Sequence, residues 1–278
     1  MASNDDFWVR FWGVRGTVPC PGPATLRYGG NTSCIEVCCG GERLIFDAGT
    51  GLRMLGATLA DQSGLAGHIF LTHTHIDHIN GFPFFRPAYD SNNRFKLWAG
   101  HMGGQSGSLK AVLSDLMRTP IFPVPLRIMH ACIAFNDFTA GEDLEPIPGV
   151  VLRTAPLNHP GGATGYRIEY GGRAICYVTD TEHGEGGPDD AVIKLIQDSQ
   201  IVIYDAMYTE EEYPRFRGWG HSTWVQGARL CDAAGASQLI AFHHDPDHSD
   251  EDLDRIGHAL DKARPGSRVA REGLVLHA

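Results

Sequence analysis

The sequence has no Lys/Arg-rich run, no stretch of 18 apolar residues and no CxxC pair. Each absence removes a class of function. A protein that grips polyanions usually shows a basic patch, and this chain has a formal net charge of −10. That balance points away from an extensive nucleic-acid surface and from an anionic membrane. Without a long apolar run there is no signal for a membrane-spanning helix. The start, MASNDDFWVRFWG, lacks the basic and apolar regions of a secretory signal. The seven cysteines are odd in number and scattered, which suits reduced thiols in a cytoplasmic protein better than a disulfide framework. Low-complexity tracts, a clean linker and a repeat of fixed period are missing too, so residues 1–278 are expected to form one domain. With 42% hydrophobic and only 20% charged residues, that domain is expected to be globular rather than disordered.

What is present is an alternation of short apolar runs and helical patterns. Strands are expected at Trp8–Trp12, Cys34–Cys38 and Arg43–Phe46, the last two joined by a tight turn in which Gly40 and Gly41 supply positive φ. Leu52, Leu55 and Leu59 have helical spacing. GHIFLTHTH reads as a buried strand with a polar end and SLKAVLSDLM as a helix. The second half repeats the mixture: a strand ending at His159, a hairpin across Gly171-Gly172 ending at Asp180, a helix opening at Pro188, the strand IVIYDAMY, a helix stopping at Gly235, the strand SQLIAFHH, and a helix capped by Ser249. Hairpins followed by alternating strands and helices predict an α/β layered sandwich. Polar residues gather where strands end, at Asp47, His73–His78, His159, Asp180, Asp205 and His243–Asp245. If the strands run the same way, these ends share one edge, where metals and ligands bind.

The strongest local signal is THTHIDH, His73-x-His75-x-Asp77-His78. His73 and His75 stand two apart at a strand end and can share one metal. Asp77 and His78 lie past the turn and can face a second. Neutral imidazole with carboxylate suits zinc, and also manganese or iron. One motif cannot complete two coordination spheres, so His159, Asp180 and His243 are the expected further ligands. A carboxylate has two oxygens and can bridge two cations, which suits Asp180. His243 and His244 are neighbours at a strand end and should point to opposite faces; His244 becomes the ligand if the register slips by one.

FDAGTG, THTHIDH, NHP, TDT, GHST and FHH occur in the order and rough spacing of the metallo-β-lactamase superfamily, which this chain resembles from about Phe11 to about Asp250. The resemblance implies a four-layer αββα sandwich with two divalent metal ions at one edge. One metal would take His73, His75 and His159, the other Asp77, His78 and His243, with Asp180 bridging. Asp47 would orient a ligand histidine. By its place beside His243, His244 either faces away or supports the site from behind, and Asp245 either bonds locally or orients a ligand.

Within the superfamily, GHST opening a helix ahead of the last ligand strand resembles the phosphodiesterase branch. In that branch the histidine equivalent to His221 assists the leaving group, with Asp205 of YDAMY as its acidic support. Asp77, Asp205 and His221 are therefore the expected catalytic residues. Only twenty residues separate His159 from Asp180, which leaves no room for the protruding arm of tRNA-processing members. The expected reaction is hydrolysis of a small, cyclic phosphodiester, such as a cyclic nucleotide, by a metal-bridging hydroxide. A homodimer is expected, without membrane contact. The alternatives are a tRNA 3′-processing nuclease, or a lactamase- or thioesterase-type hydrolase. Arg15, in a Gly-flanked loop, is either a phosphate partner or a surface residue. Residues 104–129 are a lid, a dimer contact or a plain connection.

Overall fold

Alternate residues of β1 (Phe7–Gly13) are buried, with Phe7, Val9 and Phe11 fully so, as a strand with one face on a core requires. A computed structural model, describing residues 6–102, 108–184 and 189–278, places β1 near one edge of a seven-stranded sheet. Its other strands are β2 (Cys34–Cys39), β3 (Glu42–Phe46), β4 (Ala66–Leu71), β5 (Arg94–Ala99) and β6 (Cys132–Asp137), with β14 (Val275–His277) on the outer side of β1. The second sheet also has seven strands, β7 (Leu144–Ile147), β8 (Val150–Leu157), β9 (Ala163–Tyr170), β10 (Arg173–Val178), β11 (Ile201–Asp205), β12 (Gln238–Phe242) and β13 (Arg268–Val269), in sequence order across it. Each sheet is antiparallel where hairpins build it and parallel from β3 to β6 and from β10 to β13.

The sheets share an aromatic-rich core in which Phe46 stacks on Phe70 and meets Tyr166 and Tyr177 edge-on. Helices cover the outer faces. Thr50–Thr58 (α1) and Leu109–Leu116 (α3) pack on the first sheet. Asp190–Ile196 (α4), Trp224–Ala234 (α5) and Asp250–Ala263 (α6) pack on the second. A one-turn helix, α2 (Ile76–Ile79), follows β4. This is the layered α/β sandwich that the segment pattern predicts.

Local chemistry explains most element ends. Gly40 and Gly41 have φ of 61° and 92°, the positive values a two-residue hairpin needs. Gly235 closes α5 in the left-handed conformation. Ser249 and Asp252 form a reciprocal capping box at α6, as its sequence suggests. Helix α4 is capped by Asp189; Pro188, expected at its start, lies outside the described residues, as do residues 104–107 of the 104–129 segment.

His68 on β4 gives the fold a pH-dependent element. Its ring lies stacked against Trp98 at 5.9 Å and Phe70 at 6.0 Å, and Trp98 Nε1 donates to its Nδ1. Burial, with Lys96 adding to it, lowers its pKa from 6.5 to about 4. As pH falls the unfolded chain takes up this proton first, so the contribution is present above pH 6.5 and is lost towards pH 4. His68→Phe keeps the stack and removes the titration. Between pH 7.5 and 5 the wild type should lose about 1 kcal/mol more stability than the variant, after discounting for partial solvation. Urea unfolding at both pH values measures this, and equal losses would contradict it.

Candidate metal centre

Because β3 and β4 are parallel, as are β10, β11 and β12, their C-terminal ends deliver polar residues together. Asp47 follows β3, His73 and His75 follow β4, Asp180 follows β10, Asp205 ends β11 and His243 follows β12. Helix α2 supplies Asp77 and His78, the β8–β9 connection His159, and the loop before α5 His221. Asp47, Asp180 and His243 have φ of 61°, 59° and 62°. Asp and His are among the side chains that tolerate this left-handed region best, and such strain gathers at functional sites.

The donor atoms converge in overlapping sets. His73, His75 and His159 form one, and Asp77, His78 and His243 another, with ligand atoms within 4.8 Å of one another in each. Asp180 lies between them. Its Oδ1 is 3.8 Å from His73 Nε2 and 3.7 Å from His159 Nε2. Its Oδ2 is 3.2 Å from His78 Nε2 and 3.3 Å from His243 Nε2. One carboxylate oxygen thus faces each histidine set. A further grouping of Asp180, Asp205, His221 and His243 is also close enough for an ion. The Asp205 carboxylate, however, already accepts from Asp180 N, Met207 N, Ser222 N and His221 Nδ1. That leaves it little capacity to ligate.

These residues fit divalent cations on physical grounds. His159 Nε2 faces His75 Nδ1 at 3.0 Å and His78 Nε2 faces His243 Nε2 at 3.2 Å; two lone pairs aimed at each other need a proton or a cation between them. His73 Nε2 and His243 Nδ1 are buried and have no hydrogen-bond partner among the described residues. Burial and the surrounding imidazoles push His73 well towards its neutral, ligating form. Burial opposes a charge on His78, but Asp180, Asp77 and Asp47 outweigh it and raise its pKa. Burial would likewise raise Asp77 and Asp180, yet the adjacent rings hold both well below the usual carboxylate range. The cluster thus favours positive charge at its centre.

Hydrogen bonds aim the ligating groups. Asp47 Oδ2 lies 2.9 Å from His78 Nδ1, while Thr72 N and the Tyr177 hydroxyl donate to Asp47. Thr17 N donates to Asp77 Oδ2 at 2.8 Å. His159 Nδ1 donates to the Gly220 carbonyl at 2.8 Å, and Glu182 accepts from Gly218 N and Gly220 N. Gly220 has φ of 87°, and a Cβ there would meet His159 at 2.3 Å, so glycine is required. His221 Nδ1 is 2.9 Å from Asp205 Oδ2. Burial works against its charge, but Asp205, Asp180 and Asp77 lift its pKa to about 9.

The sequence does not single out Thr17, Thr72, Tyr177, Glu182 or Gly220, nor His101, whose ring lies 6.4 Å from that of His73. Glu182 and Gly220 sit inside or beside TDTEH and GHST, so their place next to ligand motifs is the one signal that marks them.

Three expected site residues lie elsewhere. Arg15 is fully buried, and its guanidinium donates to the carbonyls of Gly29, Asp245 and His248. It is no surface residue: Nε and Nη1 hold loops, while Nη2 is buried with no hydrogen-bond partner among the described residues. His244 Nε2 donates to the Ala270 carbonyl and supports no ligand side chain. Asp245 accepts from Asp247 N in a local turn. Strand alternation also fails as the reason for the His243–His244 divergence: β12 stops at Phe242 and His243 takes positive φ.

A family model described as beta-lactamase superfamily domain matches residues 42–244, a span that contains Asp47, Asp180, both donor sets, Asp205 and His221. The chain belongs to the metallo-β-lactamase superfamily. It is a metal-dependent hydrolase of that superfamily. A ribonuclease Z of Haloarcula marismortui is 28% identical, over 84% of this chain and 85% of the relative. The human tRNase Z, short form, superposes with a TM-score of 0.70 at 18% identity, covering 97% of this chain and 98% of that one. A diphosphatase from the PhnP family superposes at 0.71 with 17% identity, covering 98% and 97%. Among the described residues, no helix is long and apolar enough to cross a membrane.

The ribonuclease relatives overturn the expected partner, a small phosphodiester with no extensive nucleic-acid surface. That expectation took the net charge of −10 as a description of the surface, but a whole-chain sum averages over faces of different sign.

Proposed function

We propose that this superfamily member hydrolyses phosphodiester bonds in RNA, using two divalent cations, most suitably zinc. His73, His75 and His159 would hold one and Asp77, His78 and His243 the other, with Asp180 shared. The observation that carries the reading is the Asp180 carboxylate, with one oxygen turned to each histidine set. The ribonuclease Z relatives support RNA as the substrate class. Two such cations would supply Lewis acidity towards the phosphoryl oxygens and a water acidified to near neutrality. Seven free cysteines support a reducing, cytoplasmic setting.

The chain's own residues then handle the leaving group. Asp205 occupies His221 Nδ1, which leaves Nε2 for the substrate. As the water oxygen bonds to phosphorus and the bond to the departing oxygen breaks, the Nε2 proton passes to that oxygen. Asp205 stabilises the charged ring before the transfer and fixes its orientation, while its three backbone donors hold it in place.

The test compares two diesters. Zinc-loaded wild type should cleave both an RNA oligonucleotide and bis-p-nitrophenyl phosphate. In His221→Ala the RNA rate should fall about 10²- to 10³-fold, whereas the p-nitrophenyl ester, whose leaving group needs no proton, should lose much less. A wild type inactive on both substrates with zinc and with manganese sinks the reading. Equal losses on both would remove His221 from the leaving-group role.

A further inference from the structure

Charge is unevenly distributed along the chain. Residues 50–135 contain seven Lys and Arg against four Asp and no Glu, a net of +3, so the remainder carries −13. This stretch includes the helices on the outer face of the first sheet and the HTHIDH motif itself. Outside it some cations are neutralised, Arg27 by Asp250, Glu251 and Asp254, Arg153 by Asp143 and Glu169, and Arg264 by Asp232, while Lys194, Arg229, Lys262, Arg268 and Arg271 are exposed with no carboxylate partner among the described residues. In the basic stretch, Arg118 pairs with Asp115, but Arg53, Arg86, Lys110 and Arg127 are exposed and have no carboxylate partner among the described residues.

The same stretch holds five of the eight exposed large apolar side chains among the described residues, including Ile76 at 56% and Phe84 at 52%. Two cavities flank the chain segment 117–131. One, of about 370 Å³, is lined by Arg53 and Arg86 with Phe84, Tyr89 and Phe122; Phe84 and Phe122 meet edge-on at 5.7 Å. The other, of about 420 Å³, has Lys110, Arg118 and Arg127 around an apolar floor. Phe84 is six residues from His78, hence within about 22 Å of it by chain length alone. Ile76 stands in the motif between His75 and Asp77.

Unpaired arginines beside the exposed Phe84 ring and the half-buried Phe122 ring match one class of partner. A single-stranded nucleic acid offers phosphates for the cations and open bases for the rings, whereas in a duplex the bases are stacked away. We propose that the face formed by Arg53, Phe84, Arg86 and Phe122, extended across segment 117–131 to Lys110 and Arg127, docks a single-stranded segment of the RNA substrate and leads it to the metal centre. The inference rests on the RNA-hydrolase reading and adds the surface that reading lacks.

Binding of a fluorescein-labelled 12-nucleotide RNA to the zinc-loaded protein, followed by anisotropy over a salt series, tests the proposal. In Arg53→Glu/Arg86→Glu the affinity should fall at least tenfold and the salt dependence should flatten. Turnover of bis-p-nitrophenyl phosphate should stay within twofold. Phe84→Ala should weaken RNA binding with little change in salt slope. Lys110→Glu/Arg127→Glu is an independent pair should the first not fold. Unchanged RNA affinity in the folded variants, or no RNA binding by wild type, overturns the docking surface while leaving diester hydrolysis intact. Tighter binding of a duplex than of the single strand overturns the assigned occupant. A wild type that fails to turn over bis-p-nitrophenyl phosphate strikes the hydrolase reading instead.

Discussion

Asp180→Asn should lower kcat/KM for bis-p-nitrophenyl phosphate by at least about 10⁴-fold and reduce the bound zinc to one ion or fewer. The Asp180 carboxylate is almost fully buried and faces four imidazoles at 3.2–3.8 Å. Asparagine has one acceptor oxygen and no charge, so one histidine set loses its shared ligand and the other keeps a weaker one. Its NH₂ group would also point a donor at ring nitrogens that must act as ligands. The backbone need not move, since asparagine tolerates the left-handed conformation that Asp180 adopts at φ of 59°. Zinc content by mass spectrometry, with rates on the same samples, separates ligand loss from misfolding. A variant that keeps two zinc ions and activity within tenfold of wild type would remove Asp180 from the shared position.

The site is legible in the sequence to the extent that strand ends announce themselves. Asp47, Asp180, Asp205 and His243 follow or close apolar runs, and parallel strands bring such ends to one edge. The backbone at those ends is not legible. Positive φ at Asp47, Asp180 and His243 is a consequence of tertiary packing, and it makes the alternation argument for His243 and His244 invalid even though the two rings do diverge. Strands β5 and β6 do alternate, β5 burying Phe95, Leu97 and Ala99 and exposing Arg94 and Lys96, but such short runs do not announce a place in the sheet; that is set by pairing, β5 with β4 and β6 with β5. Net charge misleads in a related way. A sum over 278 residues hides a basic stretch adjoining the metal motif, and only the fold sets its cations beside the Phe84 and Phe122 rings. Contacts made by backbone groups, such as Thr17 N on Asp77 or the Gly220 carbonyl on His159, leave no trace in residue type.

Arg15 is deceptive in the sequence for the same reason, and it carries the largest expected effect on stability. A lone arginine in a glycine-flanked loop looks solvent-exposed, yet its side chain is fully buried and Nε donates to Gly29 O at 2.9 Å. Nη1 donates to Asp245 O at 2.9 Å and to His248 O at 2.7 Å. Burial lowers the guanidinium pKa, partly offset by Cys20 and by the carboxylates of Asp250, Asp245 and Glu272. The charge is therefore held by carbonyl dipoles from an N-terminal loop and from the loop just after His243. Backbone bonds from Gly16 N to His244 O and from His244 N to Val14 O tie the same segments. Arg15→Met fills much of the volume but leaves the Gly29 and His248 carbonyls without their donor, Asp245 O keeping only His248 N, and should cost about 3–5 kcal/mol. For a chain of this size that lowers Tm by roughly 5–15 °C. Arg15→Lys should recover only part of the loss, because an ammonium cannot reach three carbonyls in the planar fork geometry. Below its lowered Tm, Arg15→Met should also bind the second zinc more weakly, since the loop it releases begins one residue after His243. Urea unfolding and zinc titration together decide the matter: a change under about 1 kcal/mol would mean that water replaces the guanidinium at no cost, and the buried-clamp account would fail.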